Sequence, residues 1–543
     1  MSLRASYNGL SKDDVSNSFG HVDFISTLLE DVLWRIFLVI ASRTEDAASR
    51  TYEYDAPSGW NNRPVNVTWR CAQVCHRWRE LLLNAPSLWG RLIDLDAFSS
   101  MGSRQKDEIM RRTGESPLIV KGGVFIARAH ERDYFMFLLQ HHWPRVESLR
   151  IRISGTRLLE KSAWDILYRP APRLRNIHVH SRDGFDLGPS QADMHLFENE
   201  APQLEAFGSW KLNVMLQPEL RWLSVIRRLD ISYSQKMTIS DWLEALKQMP
   251  RLESLSLLKA LPDPSDASTS LSVHLPCLTK IDLTGNLRAC TVLMEQIFPS
   301  IRCRLSLDTF DEEEPIRTPD MALAHKTLSR YLHNFLESHR PSSFALALYS
   351  IGFRLADKAP LRDMDEASIF VDISSTSIQS TDTVFSLLKA LSSCDLNCIK
   401  TLELDAAVSF GGPWDDQAVI TLLQKLENVE SIVADLSALK ILGGEVSGYS
   451  TMFPNLRKIK ARKSMGYEDI FQYGEELLPL LIARKMSGTP IESLDLAAWG
   501  GVEGLEVFGA VEGLKIFYYE DIVLREYHCG AGKVPVHEGD NAA

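Results

Sequence analysis

A short apolar pattern recurs down most of this chain and narrows what it can fold into. It is an apolar residue, two spacers, a second apolar residue, one spacer and a third, often behind a proline. It first appears as Pro144-Arg145-Val146-Glu147-Ser148-Leu149-Arg150-Ile151. It returns around Leu174 and Ile177, around Leu204 and Phe207, and at Leu229-Asp230-Ile231, Leu255-Ser256-Leu257 and Ile281-Asp282-Leu283. After a less regular stretch it comes back at Leu402-Glu403-Leu404, Ile432, Ile459 and Leu494-Asp495-Leu496. In the first run the leading apolar positions, from Val146 through Leu174, Leu204, Ile226 and Leu252 to Leu278, step by 22 to 30 residues. Ile281 and Leu283 alternate with Asp282 as in a strand with one buried face. Helical stripes separate the strands: Ile239, Trp242, Leu243 and Leu246 behind a Thr238/Asp241 cap, then Leu328, Tyr331, Leu332 and Phe335 after Thr318-Pro319. Val384, Leu387, Leu388 and Leu391 make a further stripe, as do Val419, Leu422, Leu423 and Leu426. A strand and a helix repeated at such a period cannot bury an apolar face alone. Stacked copies can, as a parallel sheet lined with helices.

The bulk numbers exclude several function classes. At 543 residues the chain is too long for one compact core. Its 45% apolar and 24% charged residues are an ordinary folded composition. A net charge of −12 argues against a general attraction to nucleic acid or to an anionic membrane. Cys71/Cys75 and Cys394/Cys398 have the right internal spacing but no second pair at zinc-ligand spacing, so reduced thiols and a reducing compartment are expected. The N-terminus has no apolar signal core, and the longest apolar runs, such as Leu477 to Ala483, fall far short of the ~20 residues of a membrane span. The expected location is cytoplasmic or nuclear.

Ahead of the repeats lies a different pattern. Residues 1–20 are polar and read as disordered. Thr27 and Glu30 fit a capping box, followed by Leu29, Val32, Leu33, Ile36, Phe37 and Ile40 on one helical stripe. Residues 44–66 carry Pro57, Gly59 and Pro64 without a period and read as an inserted loop. A second helix is read through Cys71, Val74, Cys75, Trp78, Leu81 and Leu82, stopped by Pro86, with one more turn at Ser87-Leu88-Trp89.

These residues resemble an F-box. The resemblance is carried by Leu28-Leu29-Glu30-Asp31-Val32-Leu33 with Ile36-Phe37, and by Val74-Cys75-His76-Arg77-Trp78-Arg79-Glu80-Leu81. The ending Ala85-Pro86-Ser87-Leu88-Trp89 is similar to a variant common in fungal (basidiomycete-type) F-box proteins. The family carries proline where this chain has Leu29, and the inserted loop is a second departure. The repeats behind it resemble degenerate leucine-rich repeats. The asparagine that usually follows the strand occurs only once, as Asn286. The stretch Leu305 to Phe370 fits the period least, and its acidic run from Asp311 to Glu314 reads as a solvated loop.

The expected fold is therefore α/β: a small N-terminal helical F-box, then an irregular leucine-rich-repeat solenoid with a parallel sheet and flanking helices. The expected domains are a disordered 1–20, an F-box-like 21–95 with its loop at 44–66, a connecting segment 96–139, a solenoid over 140–527 and a disordered tail 528–543. The resemblance implies a substrate-recognition subunit of a cullin-type (SCF) ubiquitin ligase, which binds a Skp-family adaptor and through it a cullin. Its repeats would bind a protein substrate. Leu28, Leu29, Val32, Leu33, Ile36, Val74, Cys75, Trp78 and Leu81 then divide between adaptor contact and F-box core. The alternative is a leucine-rich-repeat interaction scaffold without ligase coupling. No cofactor, metal, nucleic acid or membrane partner is expected, and no catalytic motif is present. His141 and His142 read as helix C-terminal cations. His178 and His180 flank a strand residue and share one face, as solvated residues or as part of a binding surface. Trp60 lies in the inserted loop and is read as a candidate exposed side chain; Trp210, Trp222, Trp242, Trp414 and Trp499 read as core, and any of them exposed on the strand side is a candidate hot spot.

Overall fold

The computed structural model describes residues 28–42, 62–158, 161–186, 195–234, 236–262, 271–311, 318–349, 352–357, 367–375, 384–406, 416–443, 452–462, 470–498, 505–520 and 523–530. They form two units. One comprises the chain up to Leu92 together with Ser103–Ser116; the other comprises Ile93–Gly102 and the chain from Pro117 onward.

The first unit is helical. It contains α1 (Glu30–Ser42), α2 (Pro64–Cys71), α3 (His76–Leu83) and α4 (Pro86–Gly90). The short β1 (Ile93–Asp94) and α5 (Leu95–Phe98) belong to the second unit, and α6 (Ser103–Thr113) returns to the first. Glu30 and Asp31 sit in the first turn of α1, where negative charge suits the unsatisfied amides. Pro64 opens α2, a position that needs no amide donor. The stripe read as one helix from Cys71 to Leu82 is two helices. Cys75 is extended (φ −153°, ψ 168°), and its Sγ accepts from the Trp78 amide at 3.5 Å. A residue that caps the next helix cannot also continue the previous one, so the chain turns at Gln73-Val74. Pro86 starts α4 and does not end α3, which closes at Asn84. Leu33, Phe37, Val65, Leu82, Leu88, Trp89 and Ile109 are buried in this unit. The Trp89 indole donates to the Leu82 carbonyl at 2.7 Å, and the Arg112 guanidinium lies over Trp89 and Trp69 at 5.5 and 5.7 Å.

The second unit is built on one 18-stranded sheet. The chain lays down β2 (Leu118–Phe125), β3 (Val146–Ser154), β4 (Asn176–Asp186), β5 (Ala206–Asn213), β6 (Arg228–Ser232) and β7 (Ser254–Leu258) side by side after β1. A small β8 (Val273–Leu275) pairs with β10 (Ile297–Pro299) apart from the main sheet. β9 (Lys280–Gly285) and β11 (Arg304–Asp311) continue the run. Then come β12 (Ser343–Tyr349), β13 (Gly352–Ala356) and β14 (Ile369–Ser375), inserted in reverse, so that the order is β11, β14, β13, β12. β15 (Thr401–Ala406), β16 (Ser431–Ala434), β17 (Lys458–Ala461), β18 (Ser493–Asp495), β19 (Lys515–Glu520) and β20 (Val523–His528) complete it. All described pairings in the main sheet are parallel except those of β13 with its two neighbours and of β20 with β19. The sheet runs unbroken through the stretch least legible in sequence; it begins at Ile93, at the end of the segment expected to be F-box-like, and its β2 lies inside 96–139, the segment expected only to connect.

Register explains the repeat. Leu149, Ile177, Phe207, Leu229, Leu255, Ile281 and Leu305 are partners across successive strands, and all are buried. Helices supply the other half of the core: α7 (Ala129–His142), α8 (Ile239–Lys247), α9 (Leu287–Gln296), α10 (Thr318–His339), α11 (Lys389–Ser392), α12 (Gln417–Gln424), α13 (Leu436–Gly443) and α14 (Ile470–Met486). Thr238 and Asp241 form the expected capping box of α8. Asn286 is the N-cap of α9, its Oδ1 accepting from the Ala289 amide at 3.2 Å. Backbone groups in the turns of the last repeats are met by other asparagines. Asn428 donates to the Asn397 carbonyl at 3.0 Å, and Asn455 to the Glu427 carbonyl at 3.1 Å. No helix among the described residues is long and apolar enough to cross a membrane.

Candidate protein-interaction surfaces

Helix α1 has two apolar stripes, and they have different fates. Leu33, Phe37 and Ala41, four residues apart, face inward and are buried. Leu29, Val32, Ile36 and Val39, spaced three, four and three, lie on another face. Leu29 is 73% exposed and Val39 67%, with Val32 and Ile36 near 40%. A 3.6-residue turn separates these sets, so a helix wetted on one side has more aliphatic surface than one core can take. Val74, in the turn before α3, is 61% exposed, and Cys75 is exposed beside it.

The start of α1 is held from α3. The Leu29 carbonyl accepts from the Val32 and Leu33 amides, and Arg77 donates to the Leu28 carbonyl at 2.8 Å. Phe37 meets Trp78 edge to face at 5.2 Å. Of the nine residues singled out by sequence, Leu33 is core. Leu28, Trp78 and Leu81 are half-buried, while Leu29, Val32, Ile36, Val74 and Cys75 are exposed. Val39 was missed because the stripe read from the sequence passes from Phe37 to Ile40.

The sheet offers a second surface. One side carries the buried apolar rows; the other carries the residues between them. On that polar side His178 and His180 stand on β4 and Trp210 on β5. Neither histidine is simply solvated. His180 stacks on Trp210 at 5.1 Å and 10° between planes. His178 leans over Gly208 of β5, where any Cβ would collide with its ring. Burial pushes the His178 imidazole below its usual range, with Asp230 opposing and Arg150 adding to the shift. Burial also brings His180 down to about 4, helped by His178, Arg152 and Lys211. Both rings are therefore neutral at pH 7.

The remaining tryptophans divide clearly. Trp222 and Trp242 are core; Trp60, Trp414 and Trp499 lie outside the described residues. His141 and His142 end α7 as expected. Among the described residues no group of histidine, cysteine or carboxylate side chains is arranged to hold a metal ion. No protein-family model matches the chain, and no curated protein matches it in sequence.

Proposed function

We propose that this chain is a substrate-recognition subunit of a cullin-type ubiquitin ligase, with the helical unit docking a Skp-family adaptor and the sheet unit capturing a protein substrate. The observation that carries the reading is the exposed stripe of Leu29, Val32, Ile36 and Val39, running from the residue before α1 along a helix whose other apolar stripe already fills the core. Four aliphatic side chains in water on a short helix are a standing cost unless a partner covers them. Three of them, Leu29, Val32 and Ile36, are among the residues that carry the F-box resemblance. The large, mostly parallel sheet supports the second half of the reading, as an irregular leucine-rich-repeat solenoid offering one polar strand face.

The chain itself performs no bond chemistry in this scheme. It works by proximity. Docking at α1 and capture on the sheet place a substrate lysine and a ubiquitin-charged enzyme in one assembly, which raises their effective concentration. Such assemblies operate in the cytoplasm or nucleus, in keeping with the free thiols among the described cysteines.

Co-expression with a Skp-family adaptor tests the reading. The wild-type chain is expected to co-purify with it as a stable complex. Leu29→Asp puts a charge on the most exposed member of the docking stripe, at its N-terminal end, and should weaken capture by roughly 100-fold, the scale of losing one hot spot. Its melting temperature should stay unchanged, because Leu29 contributes little to the core. A wild-type chain that does not bind the adaptor leaves the interaction scaffold as the surviving reading.

A further inference from the structure

The polar face of the sheet is sorted by charge. At register-matched positions β2, β3 and β4 carry Lys121, Arg150 and His178, with Arg152 and His180 one row further along. Beyond β5 the same rows carry Asp230, Asp282, Asp308 and Asp372, the last paired with Arg354 of β13. Where the two regions meet, three rings stand in a line across β4, β5 and the end of β6. His180 stacks on Trp210, and Trp210 meets Tyr233 at 4.7 Å. Lysines flank the line: Lys211 lies 5.8 Å from the Tyr233 ring, and Lys259 lies 5.9 Å from Tyr233 and 4.1 Å from Phe310.

The backbone beneath this ridge is unusual. Trp210, Ser232, Leu258 and Thr284 are register partners, and the residue after each has positive φ: Lys211 (55°), Tyr233 (56°), Lys259 (48°) and Gly285 (156°). Only the last is glycine. Three side-chain-bearing residues in the unfavourable left-handed region persist because the surrounding sheet fixes them. The Tyr233 and Lys259 backbone amides donate hydrogen bonds to the Leu258 and Thr284 carbonyls of the next strand, at 2.7 and 2.6 Å. The ridge is thus preorganised, which lowers the ordering cost of binding.

We propose that this ring ridge and its flanking cations dock an acidic, extended segment of another protein, laid across strands β3 to β7. Strands lie about 4.8 Å apart, so four steps span about 19 Å, the reach of roughly six extended residues. Rigid aromatic side chains beside cations are typical binding hot spots. Arg152 is paired with Asp96 at 3.2 Å, but its side chain remains 59% exposed. Such exposed pairs are weak and exchange readily for a ligand carboxylate. A single phosphate fits less well, because the cations are spread over several strands and do not converge on one point. A long nucleic acid fits less well still, since beyond β7 it would run onto Asp282, Asp308 and Asp372.

As substrate capture, this proposal rests on the ligase reading; the binding itself does not. The test uses the full chain and fluorescence anisotropy with four labelled probes. They are an Asp/Glu-rich peptide of about 12 residues, its Asn/Gln counterpart, a neutral peptide with one phosphoserine, and a single-stranded oligonucleotide of similar length. The acidic peptide is expected to bind at least about tenfold tighter than the other three, and to weaken as salt rises toward ~0.3 M. The double variant Lys211→Glu/Lys259→Glu is expected to lose about tenfold in affinity, and Trp210→Leu a similar amount, with circular dichroism unchanged. Equal binding of the neutral peptide, tighter binding of the phosphopeptide or oligonucleotide, or affinity unaffected by charge reversal would overturn the proposal. Adaptor capture is measured on the same proteins. Leu29→Asp should keep peptide binding, and the ridge variants should keep the adaptor, so the failure of either reading is seen separately.

Discussion

Single residues decide which apolar side chains hold the helical unit and which are left to a partner. Phe37 is buried and Trp78 is half-buried against it. Phe37→Ala should therefore cost that unit about 3–5 kcal/mol, the range for emptying a buried aromatic site. Trp78→Ala should cost clearly less, because water already reaches part of the ring. Urea titration followed by amide exchange in α1 to α4 separates the two. Gly208 is a second decisive position. It carries no Cβ, and the His178 ring occupies the space one would need. Gly208→Ala must displace that ring and should destabilise the sheet unit by about 1–3 kcal/mol. Neither role is visible in the sequence, where Gly208 is an ordinary glycine and Phe37 and Ile36 look equally apolar.

Between elements, much of the order comes from what precedes each strand. Glu147, Arg175, Glu205, Arg227 and Glu253 occupy equivalent positions at or just before the strands, and the amide of each after the first donates to the carbonyl of the one before it in this series. Their charges alternate, with Arg227 and Glu253 paired at 2.8 Å and the Arg175 contacts longer, at 3.9 Å. Lys400, Glu430, Arg457 and Glu492 repeat the device in the last repeats. All are exposed enough that each pair contributes little, about 0–1 kcal/mol. The opposite sign costs similarly: Arg227→Glu would face Glu205 and Glu253 and should lower stability by about 1 kcal/mol at low salt, an effect that fades on adding salt. Buried cations are another matter. Arg484 of α14 is 1% exposed and donates to the Met452, Phe453 and Leu456 carbonyls. Arg330 of α10, only half-buried, donates likewise to the Met294 and Ile297 carbonyls. Arg484→Met leaves carbonyls of the preceding turn without their donor and should cost about 3–5 kcal/mol, read as the urea midpoint of the sheet unit. The alternation of charge is legible in the sequence once the repeat is aligned. The reach of Arg484 across the turn from Met452 to Leu456 is not.

For the whole molecule, acid sensitivity follows from the two strand-face histidines. Their imidazoles are held below the ordinary value, by burial first and by Arg150, Arg152 and Lys211 next, against Asp230. A histidine depressed in the fold binds fewer protons folded than unfolded. Its contribution is complete above the unfolded pKa near 6.5 and is lost as pH falls toward about 4. Asp308 and Asp372, raised chiefly by burial, act in the other direction, so the comparison must be between proteins. Between pH 7 and pH 5 the double variant His178→Gln/His180→Gln should lose less melting temperature than the wild type. An equal loss in both would mean the rings carry no net linkage.

The amino-acid order alone determined the repeating strands, because a period of two inside a period of 22 to 30 residues has few other solutions. The ten repeat segments read from it all lie on strands, and the caps at Thr238 and the helix from Thr318 are where local chemistry puts them. Tertiary structure decided the rest. The reversed order of β12 to β14 depends on β14 pairing with β11 and β12 with β15, strands far apart in the chain, which no local pattern encodes. The split at Cys75 depends on one thiol capping the following helix. The division of α1 into a buried and an exposed stripe depends on which side meets the core, and so does the meeting of His180, Trp210 and Tyr233. These three come from separate repeats, and only strand register brings them side by side.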